Sequence, residues 1–327
     1  MHSTKVGDAK LNAPHAGGTR IVITEFMDDT AVALLASTFE TTYKPALVDD
    51  RPALLAMLGN VDALIVRNRT KVDIALLDAA PKLRVVGRLG VGLDNIDVDA
   101  CKARGIEVFP ATGANAGAVA EYVIGTAMAL LREAYTRSAE TAAGAWPRTA
   151  LSNGREIAGK TLGLIGFGGI GQLTARLAQA LGVNVIAHDP MLASDAPIWQ
   201  QSGVACKRLH EVLEQADIVS LHIPLTTNTR NLIGPDALAR MKQDAVLINT
   251  SRGEIVDETA LARALHAGHL GGAAIDVFAQ EPLPAGNALA TAPRLILTPH
   301  IAGVTTESNT RVSALIAQRV AAFLQQN

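Results

Sequence analysis

The stretch "TLGLIGFGGIGQLTARLAQALG" (161–182) decides the reading of this chain. An apolar, strand-like run breaks at Gly166-x-Gly168-x-x-Gly171 and resumes with helical spacing. Each glycine has a separate task. The first permits a tight turn, the second lets backbone approach a pyrophosphate, and the third lets helix and strand pack closely. The helix start then offers unpaired N–H groups and a partial positive charge to phosphate. Asp189 closes the next strand-like run, "NVIAHD" (184–189). A carboxylate there accepts hydrogen bonds from a ribose 2′-hydroxyl and repels a 2′-phosphate, and the next basic residue is as far on as Lys207. The expected cofactor is NAD, in preference to NADP.

Outward from this stretch, apolar runs and helical segments alternate. Towards the C-terminus they are "KTLGLIGFG" (160–168), "NVIAHD", "IVSLHI" (218–223), "AVLINTS" (245–251), "GGAAIDVF" (271–278) and "RLILTPH" (294–300). Six strands with intervening helices predict a doubly wound parallel sheet of the Rossmann type over 116–301. Towards the N-terminus, "IVITEF" (21–26), "ALIVR" (63–67), "RVVGRLG" (84–90) and "EVFPA" (107–111) predict a second parallel sheet, of flavodoxin-like class. The Asp28–Asp29 pair marks a helix start after the first of these runs. The final helical stretch, 305–325, is expected to cross back to this first sheet. The substrate-binding domain is therefore discontinuous, 20–115 with 302–327, and residues 1–19 form a polar, Gly-rich leader. A single long helix is expected over 117–144; periodicity suits equally a connector that also packs against a partner subunit and an ordinary buried helix.

Composition bounds the function. A formal net charge of −2 with no basic block leaves no electrostatic footprint for nucleic acid. Aromatic residues are only 3% of the chain, so the core must be built from small aliphatic side chains, which suits helices packed on parallel sheets. Cys101 and Cys206 form no CxxC pair, and no His/Asp/Glu grouping has metal-ligand spacing, so no metal is expected. The longest apolar stretch, 118–131, is short and carries Glu121, so no membrane span is expected. The expectation is a cytoplasmic α/β protein acting on a small molecule.

Three charged residues stand where burial would be costly without a purpose. Arg252 follows the strand-like "VLIN", Glu281 comes soon after "AAIDVF", and His300 ends "LILTPH". Ligands of open α/β sheets bind outside the carboxyl ends of the strands, so the three positions converge. The set suits hydride exchange between a nicotinamide ring and a 2-oxo carbon. His300 moves the proton, Glu281 holds its far nitrogen, and Arg252 grips a substrate carboxylate. His222 in "LHIPLT" is placed on the cofactor side, while His210, His266 and His269 are read as surface residues.

The motifs "GRLGVGLDNID", "GFGGIG", "LHIPLT", "INTSRGEIVDE", "GGAAIDVFAQEP" and "PHIAG" together resemble the D-isomer-specific 2-hydroxyacid dehydrogenases, nearest the 3-phosphoglycerate dehydrogenase branch. The resemblance runs from about residue 21 to the C-terminus. It implies that Arg252, Glu281 and His300 are catalytic. It implies cofactor contacts from Gly166, Gly168, Gly169, Ile170 and Gly171, from Asp189 and Pro224, and from Thr250, Ser251, Arg252, Asp276, His300 and Gly303. Val91 and Gly92 resemble the loop that holds the substrate carboxylate, and the 117–144 segment resembles a homodimer arm. The chain stops at Asn327, so the regulatory domain of longer phosphoglycerate dehydrogenases is expected to be absent. In "VRNRTK", Asn68 stands where that branch usually has serine. Arg67 and Arg88 are expected to face the substrate and favour an anion at C3, as in 3-phosphoglycerate or 3-sulfolactate. Arg69 and Lys71 are equally well read as a solvated rim. The alternatives are a hydroxypyruvate or glyoxylate reductase and, in another class, an NAD(H)-sensing interaction protein.

Overall fold

A computed structural model of the protein describes residues 18–326; residues 1–17 of the expected leader lie outside them. The chain divides into two compact units, one reaching Asn115 and taking in the segment from Thr305 onward, the other Ala116–Val304. The sequence reading put the second boundary at 301/302. The displacement has a local cause, because the amides of Ile301 and Ala302 are bound to Asp276, inside the second unit.

The first unit is built on β1 (Arg20–Ile23), β2 (Glu40–Tyr43), β3 (Ala63–Val66), β4 (Val85–Arg88) and β5 (Glu107–Pro110), all parallel, in the order β2-β1-β3-β4-β5. This is the flavodoxin-type order. β3 is buried throughout, which its unbroken Ala-Leu-Ile-Val run requires. β2, "ETTY", has no fully buried residue, so the edge strand carries no apolar run to announce it. Asp28 caps the helix Asp29–Ala36 by accepting from Thr30 N at 3.0 Å. The C-terminal helix Thr306–Gln326 packs beside that helix and across β4. A Cβ at Gly87 would stand 2.7 Å from Ile316 Cγ2, so the bare backbone of β4 sets how closely that helix approaches.

The second unit contains β6 (Thr161–Ile165), β7 (Asn184–His188), β8 (Ala205–Cys206), β9 (Ile218–Leu221), β10 (Val246–Asn249), β11 (Gly272–Ile275) and β12 (Leu295–Leu297). The sheet is parallel, in the order β12-β11-β10-β9-β6-β7-β8. Its direction of progress reverses between β6 and β9, the switch point of a Rossmann-type sheet. The two-residue β8 is a seventh strand, too short to show a period in sequence.

The single helix expected over 117–144 is interrupted. One helix covers Ala116–Arg132 and a short one Ser138–Ala142. Glu133 takes the left-handed conformation, φ 51°, and its carboxylate pairs with Arg294 at 2.8 Å. The amide of Arg155 bonds the Leu131 carbonyl at 2.8 Å, supplying a partner that helix continuation would otherwise provide.

Candidate active site

The glycine loop lies between β6 and the helix Gly169–Ala180. Gly166 has φ +98°, and a Cβ there would stand 2.3 Å from the His222 carbonyl oxygen. At Gly171 a Cβ would stand 2.4 Å from Gly166 O, so helix and turn meet with no room for a side chain. Gly168 and Gly169, by contrast, face open space. No side chain caps this helix, so its first amides remain available. Thr250, at the end of β10, has a buried hydroxyl without a partner. Close packing behind the loop, uncapped amides and open space before it fit a dinucleotide. Asp189 Oδ2 accepts from Phe167 N at 2.8 Å and Oδ1 from Met191 N at 2.9 Å. The carboxylate therefore shapes the loop while each oxygen keeps acceptor capacity for a ribose hydroxyl. Ile170 is half-buried behind Gly169, and Pro224 is exposed beyond β9.

His222, two residues ahead of Pro224, is half-buried, with Nε2 3.0 Å from Ser220 Oγ. Burial lowers its pKa to about 4, so the ring is neutral. His210 and His269 are half-buried rather than surface residues, His269 with Nε2 3.1 Å from the Leu238 carbonyl.

Arg252, Glu281 and His300 follow the ends of three neighbouring strands, β10, β11 and β12. Asn249 fixes the first turn. It is fully buried, accepts from Ser251 N at 3.0 Å and donates to the Arg252 carbonyl at 2.9 Å. The Ser251 hydroxyl is tied to Leu221 O at 2.7 Å, and Arg252 Nη1 donates to Ser251 O at 2.6 Å. Gly253 lets this turn press on the next loop, since a Cβ there would fall 1.9 Å from the Phe278 carbonyl carbon.

Beyond β11, Glu281 Oε1 accepts from Phe278 N at 3.0 Å and Oε2 lies 2.8 Å from His300 Nδ1. Burial works to raise the Glu281 pKa. The His300 and Phe278 hydrogen bonds and the charges of His300 and Arg252 outweigh it, and the carboxyl sits below its ordinary value. An ionised Glu281 only accepts, so His300 Nδ1 carries a proton and Nε2 is left to act on a ligand.

His300 itself has φ 57°, a strained state for histidine that costs about 1–2 kcal/mol. Asp276, 1% exposed, holds it there. Its carbonyl receives His300 N, and its carboxylate receives Ile301 N and Ala302 N, all at 2.8 Å. The expected cofactor contact thus spends most of its acceptor capacity on the His300 turn, which ends at the half-buried Gly303.

In the first unit, the loop after β3 carries Arg67. Glu25, 5% exposed, accepts from Arg67 N (2.8 Å), Arg69 N (3.1 Å) and Thr70 N (2.9 Å). Arg67 Nη2 donates to Asn309 at 3.0 Å, and its guanidinium lies 5.8 Å from the Phe26 ring centre. Burial lowers the Arg67 pKa and the Glu25 charge opposes the shift. Arg88 ends β4, and its Nη1 occupies the space where a Cβ on Gly90 would stand. Val91 is exposed and Gly92 half-buried in the same loop. Arg69 pairs with Asp49 at the surface and Lys71 is exposed. Among the described residues no cluster of His, Cys, Asp or Glu is arranged to hold a metal, and no helix is long and apolar enough to cross a membrane.

The family model of the D-isomer-specific 2-hydroxyacid dehydrogenase NAD-binding domain matches residues 124–302. The chain belongs to this family. It is an NAD-dependent D-2-hydroxyacid dehydrogenase. It is 54% identical over 300 residues to an (S)-sulfolactate dehydrogenase of Chromohalobacter salexigens, covering 92% of this chain and 96% of that one. A D-3-phosphoglycerate dehydrogenase of Mycobacterium leprae is 39% identical over 300 residues, but this chain spans only 56% of its length. Among solved structures, a glyoxylate reductase of Paecilomyes thermophila aligns with a TM-score of 0.83 at 30% identity, covering 94% of this chain and 96% of that one. Membership favours the enzyme over the sensing protein. Gly253, Asn249 and Glu25 were not singled out in the sequence, and for Gly253 the signal was the dipeptide Arg-Gly at a strand end.

Proposed function

We propose that this dehydrogenase interconverts a D-2-hydroxy acid carrying an anion at C3 with its 2-oxo acid, with His300 as acid/base. The observation that carries the reading is the His300–Glu281 pair, 2.8 Å apart, with the charge of Arg252 acting on the same carboxylate. NAD supplies the hydride exchange when bound; the proton, the orientation and the charge fall to the chain. In the reducing direction, His300 Nε2 gives its proton to the carbonyl oxygen as hydride reaches the carbon. Glu281 stabilises the imidazolium that precedes this transfer. Arg252 grips the substrate carboxylate and polarises the carbonyl. Asp189 receives the adenosine ribose, and the amides of Gly168, Gly169 and Ile170 receive the pyrophosphate. Thr250, Ser251, Pro224 and Gly303 complete the cofactor's surroundings.

Arg67 and Arg88 supply cations for the C3 group, and Val91 and Gly92 supply backbone for the carboxylate. Likeness to a sulfolactate dehydrogenase over nearly the whole chain supports this choice above a small neutral-tailed acid. The test is NADH oxidation at 340 nm against 3-sulfopyruvate, 3-phosphohydroxypyruvate, hydroxypyruvate and glyoxylate. His300→Gln should lower kcat by about 10²–10⁴-fold. Arg67→Ala and Arg88→Ala should each raise KM for the C3-anionic acid by about tenfold or more while leaving glyoxylate unaffected. Preference for hydroxypyruvate or glyoxylate in the wild type would replace the substrate assignment with the reductase reading.

We also infer a homodimer through the 117–144 region. Met128, Tyr135 and Trp146 are 45%, 76% and 80% exposed on and just beyond it, a concentration of apolar surface that suits a partner subunit. Light scattering should give twice the chain mass, and Trp146→Glu should shift it towards the monomer.

A further inference from the structure

The second unit contains a hydrogen-bond chain that the proposed chemistry leaves without a task. Tyr122, on the helix Ala116–Arg132, has its hydroxyl 2.6 Å from Thr298 Oγ1. Thr298 Oγ1 lies in turn 2.6 Å from Asp276 Oδ1. An ionised carboxylate only accepts, so the one hydroxyl proton of Thr298 goes to Asp276. The Thr298 oxygen must then accept from Tyr122. Direction is fixed along the whole chain, from phenol to hydroxyl to carboxylate. Burial raises the Tyr122 pKa, the Thr298 bond opposes this and the Asp276 charge adds to it, so the phenol keeps the proton it donates.

The acceptor at the end of the chain is the group that shapes the His300 turn. Asp276 Oδ1 receives Thr298 Oγ1 and Ile301 N, Oδ2 receives Ala302 N, and the Asp276 carbonyl receives His300 N. Thr298 and His300 stand two residues apart, so a hydroxyl bound from the helix fixes one end of the turn and Asp276 fixes the other. Glu281 orients only the ring, through Nδ1. The backbone under the ring, held in the left-handed region, needs its own restraint.

We propose that Tyr122 is a positioning residue for His300: through Thr298 and Asp276, its hydroxyl holds the 298–302 turn in the geometry that aims the imidazole. The inference rests on the reading of His300 as acid/base. Loss of the hydroxyl lets Thr298 rotate, loosens one of the three donors on Asp276, and displaces His300 by a fraction of an ångström. Misplacement on that scale is costly for proton transfer and nearly neutral for ground-state cofactor binding.

The experiment compares Tyr122→Phe, Thr298→Val, Thr298→Ser and the Tyr122→Phe/Thr298→Val pair with wild type and His300→Gln, using NADH and the best 2-oxo acid of the panel. Tyr122→Phe and Thr298→Val should each lower kcat by about tenfold, with KM for NADH unchanged within about twofold. The solvent deuterium isotope effect on kcat should rise in both as proton transfer becomes limiting. Thr298→Ser keeps the hydroxyl and should stay near wild type, and the double variant should be no slower than either single one. Tyr122→Phe with wild-type kcat and isotope effect overturns the proposal, whether or not thermal stability falls. Fully additive losses in the double variant overturn it as well. Full activity in His300→Gln is a different failure, because it removes the acid/base reading itself.

Discussion

Two loops, one in each unit, are built by the same device and used differently. After β11, Asp276 gathers Ile301 N, Ala302 N and the Thr298 hydroxyl on a carboxylate 1% exposed. After β1, Glu25 gathers Arg67 N, Arg69 N and Thr70 N on a carboxylate 5% exposed. In both, a buried charge becomes tolerable because three donors solvate it, and the loop becomes rigid because it supplies them. The first loop presents a histidine whose ring is separately held by Glu281. The second presents Arg67, whose guanidinium has Asn309 and the Phe26 face as neighbours. On the proposed reading, one device serves proton placement, which tolerates little error, and charge placement, which tolerates more. The costs of disturbing them should differ accordingly.

After His300→Gln itself, the largest effect should come from Asp276→Asn. The amide retains one acceptor oxygen and turns two donor hydrogens towards donors already there, so one of Thr298, Ile301 or Ala302 loses its partner. We expect kcat to fall about 100-fold with a clear loss of thermal stability, measured by steady-state kinetics and calorimetry. A variant with normal kcat would break the claim that this loop is the less tolerant of the two. Gly253→Ala should come next. The added Cβ would fall 1.9 Å from the Phe278 carbonyl carbon, and backbone, unlike a side-chain tip, cannot turn aside. The Arg252 turn and the Glu281 loop must separate, at a cost of about 2–3 kcal/mol in denaturant unfolding.

Much of the second unit was legible because its parts are local. Gly166, Gly168 and Gly171 sit on one strand–turn–helix, and Arg252, Glu281 and His300 each follow an apolar run. Glu25, Asn249 and Tyr122 were not legible, because each acts on a partner brought close by the fold: Glu25 on Arg67, Tyr122 on Thr298. Asn249 acts only three residues away, yet its task depends on full burial, which no period reveals. The edge strands β2 and β8 escaped for the opposite reason, having too little buried surface to leave a pattern. The otherwise continuous helical pattern breaks at Glu133, whose carboxylate pairs with Arg294, while the Leu131 carbonyl just before it takes Arg155 N; both partners are distant in sequence.

A smaller effect should separate the two loops most cleanly. In Glu25→Gln, Oε1 still serves Arg67 N and Thr70 N, and only the Arg69 amide meets a donor. The predicted outcome is a KM about tenfold higher for the C3-anionic acid, with kcat and glyoxylate kinetics close to wild type. A fall in kcat equal to that of Asp276→Asn would make the two loops equivalent and erase the distinction drawn between them.

The smallest effect concerns acid. Among the described residues every histidine belongs to the second unit, and His222 is the one whose pKa burial lowers to about 4. Its unfolded value is about 6.5, so between these limits the unfolded chain binds the extra proton and stability falls as pH falls. At pH 5.5 the loss relative to pH 7.5 should be on the order of 1 kcal/mol, growing towards pH 4. Glu281 adds to the loss only lower, since its depressed carboxyl stabilises the fold above its unfolded value and ceases to do so as pH drops through the folded one. Acid should therefore open the second unit first, while the Glu25 loop, in a unit without a histidine among the described residues, stays protected. Hydrogen exchange at pH 7.5 and 5.5 reads this directly: amides of β6, β9 and the 298–302 turn should lose protection, and those of Arg67, Arg69 and Thr70 should not. His222→Asn should flatten the pH dependence between 5.5 and 7.5, and equal loss of protection in both units would assign the acid sensitivity to some other group.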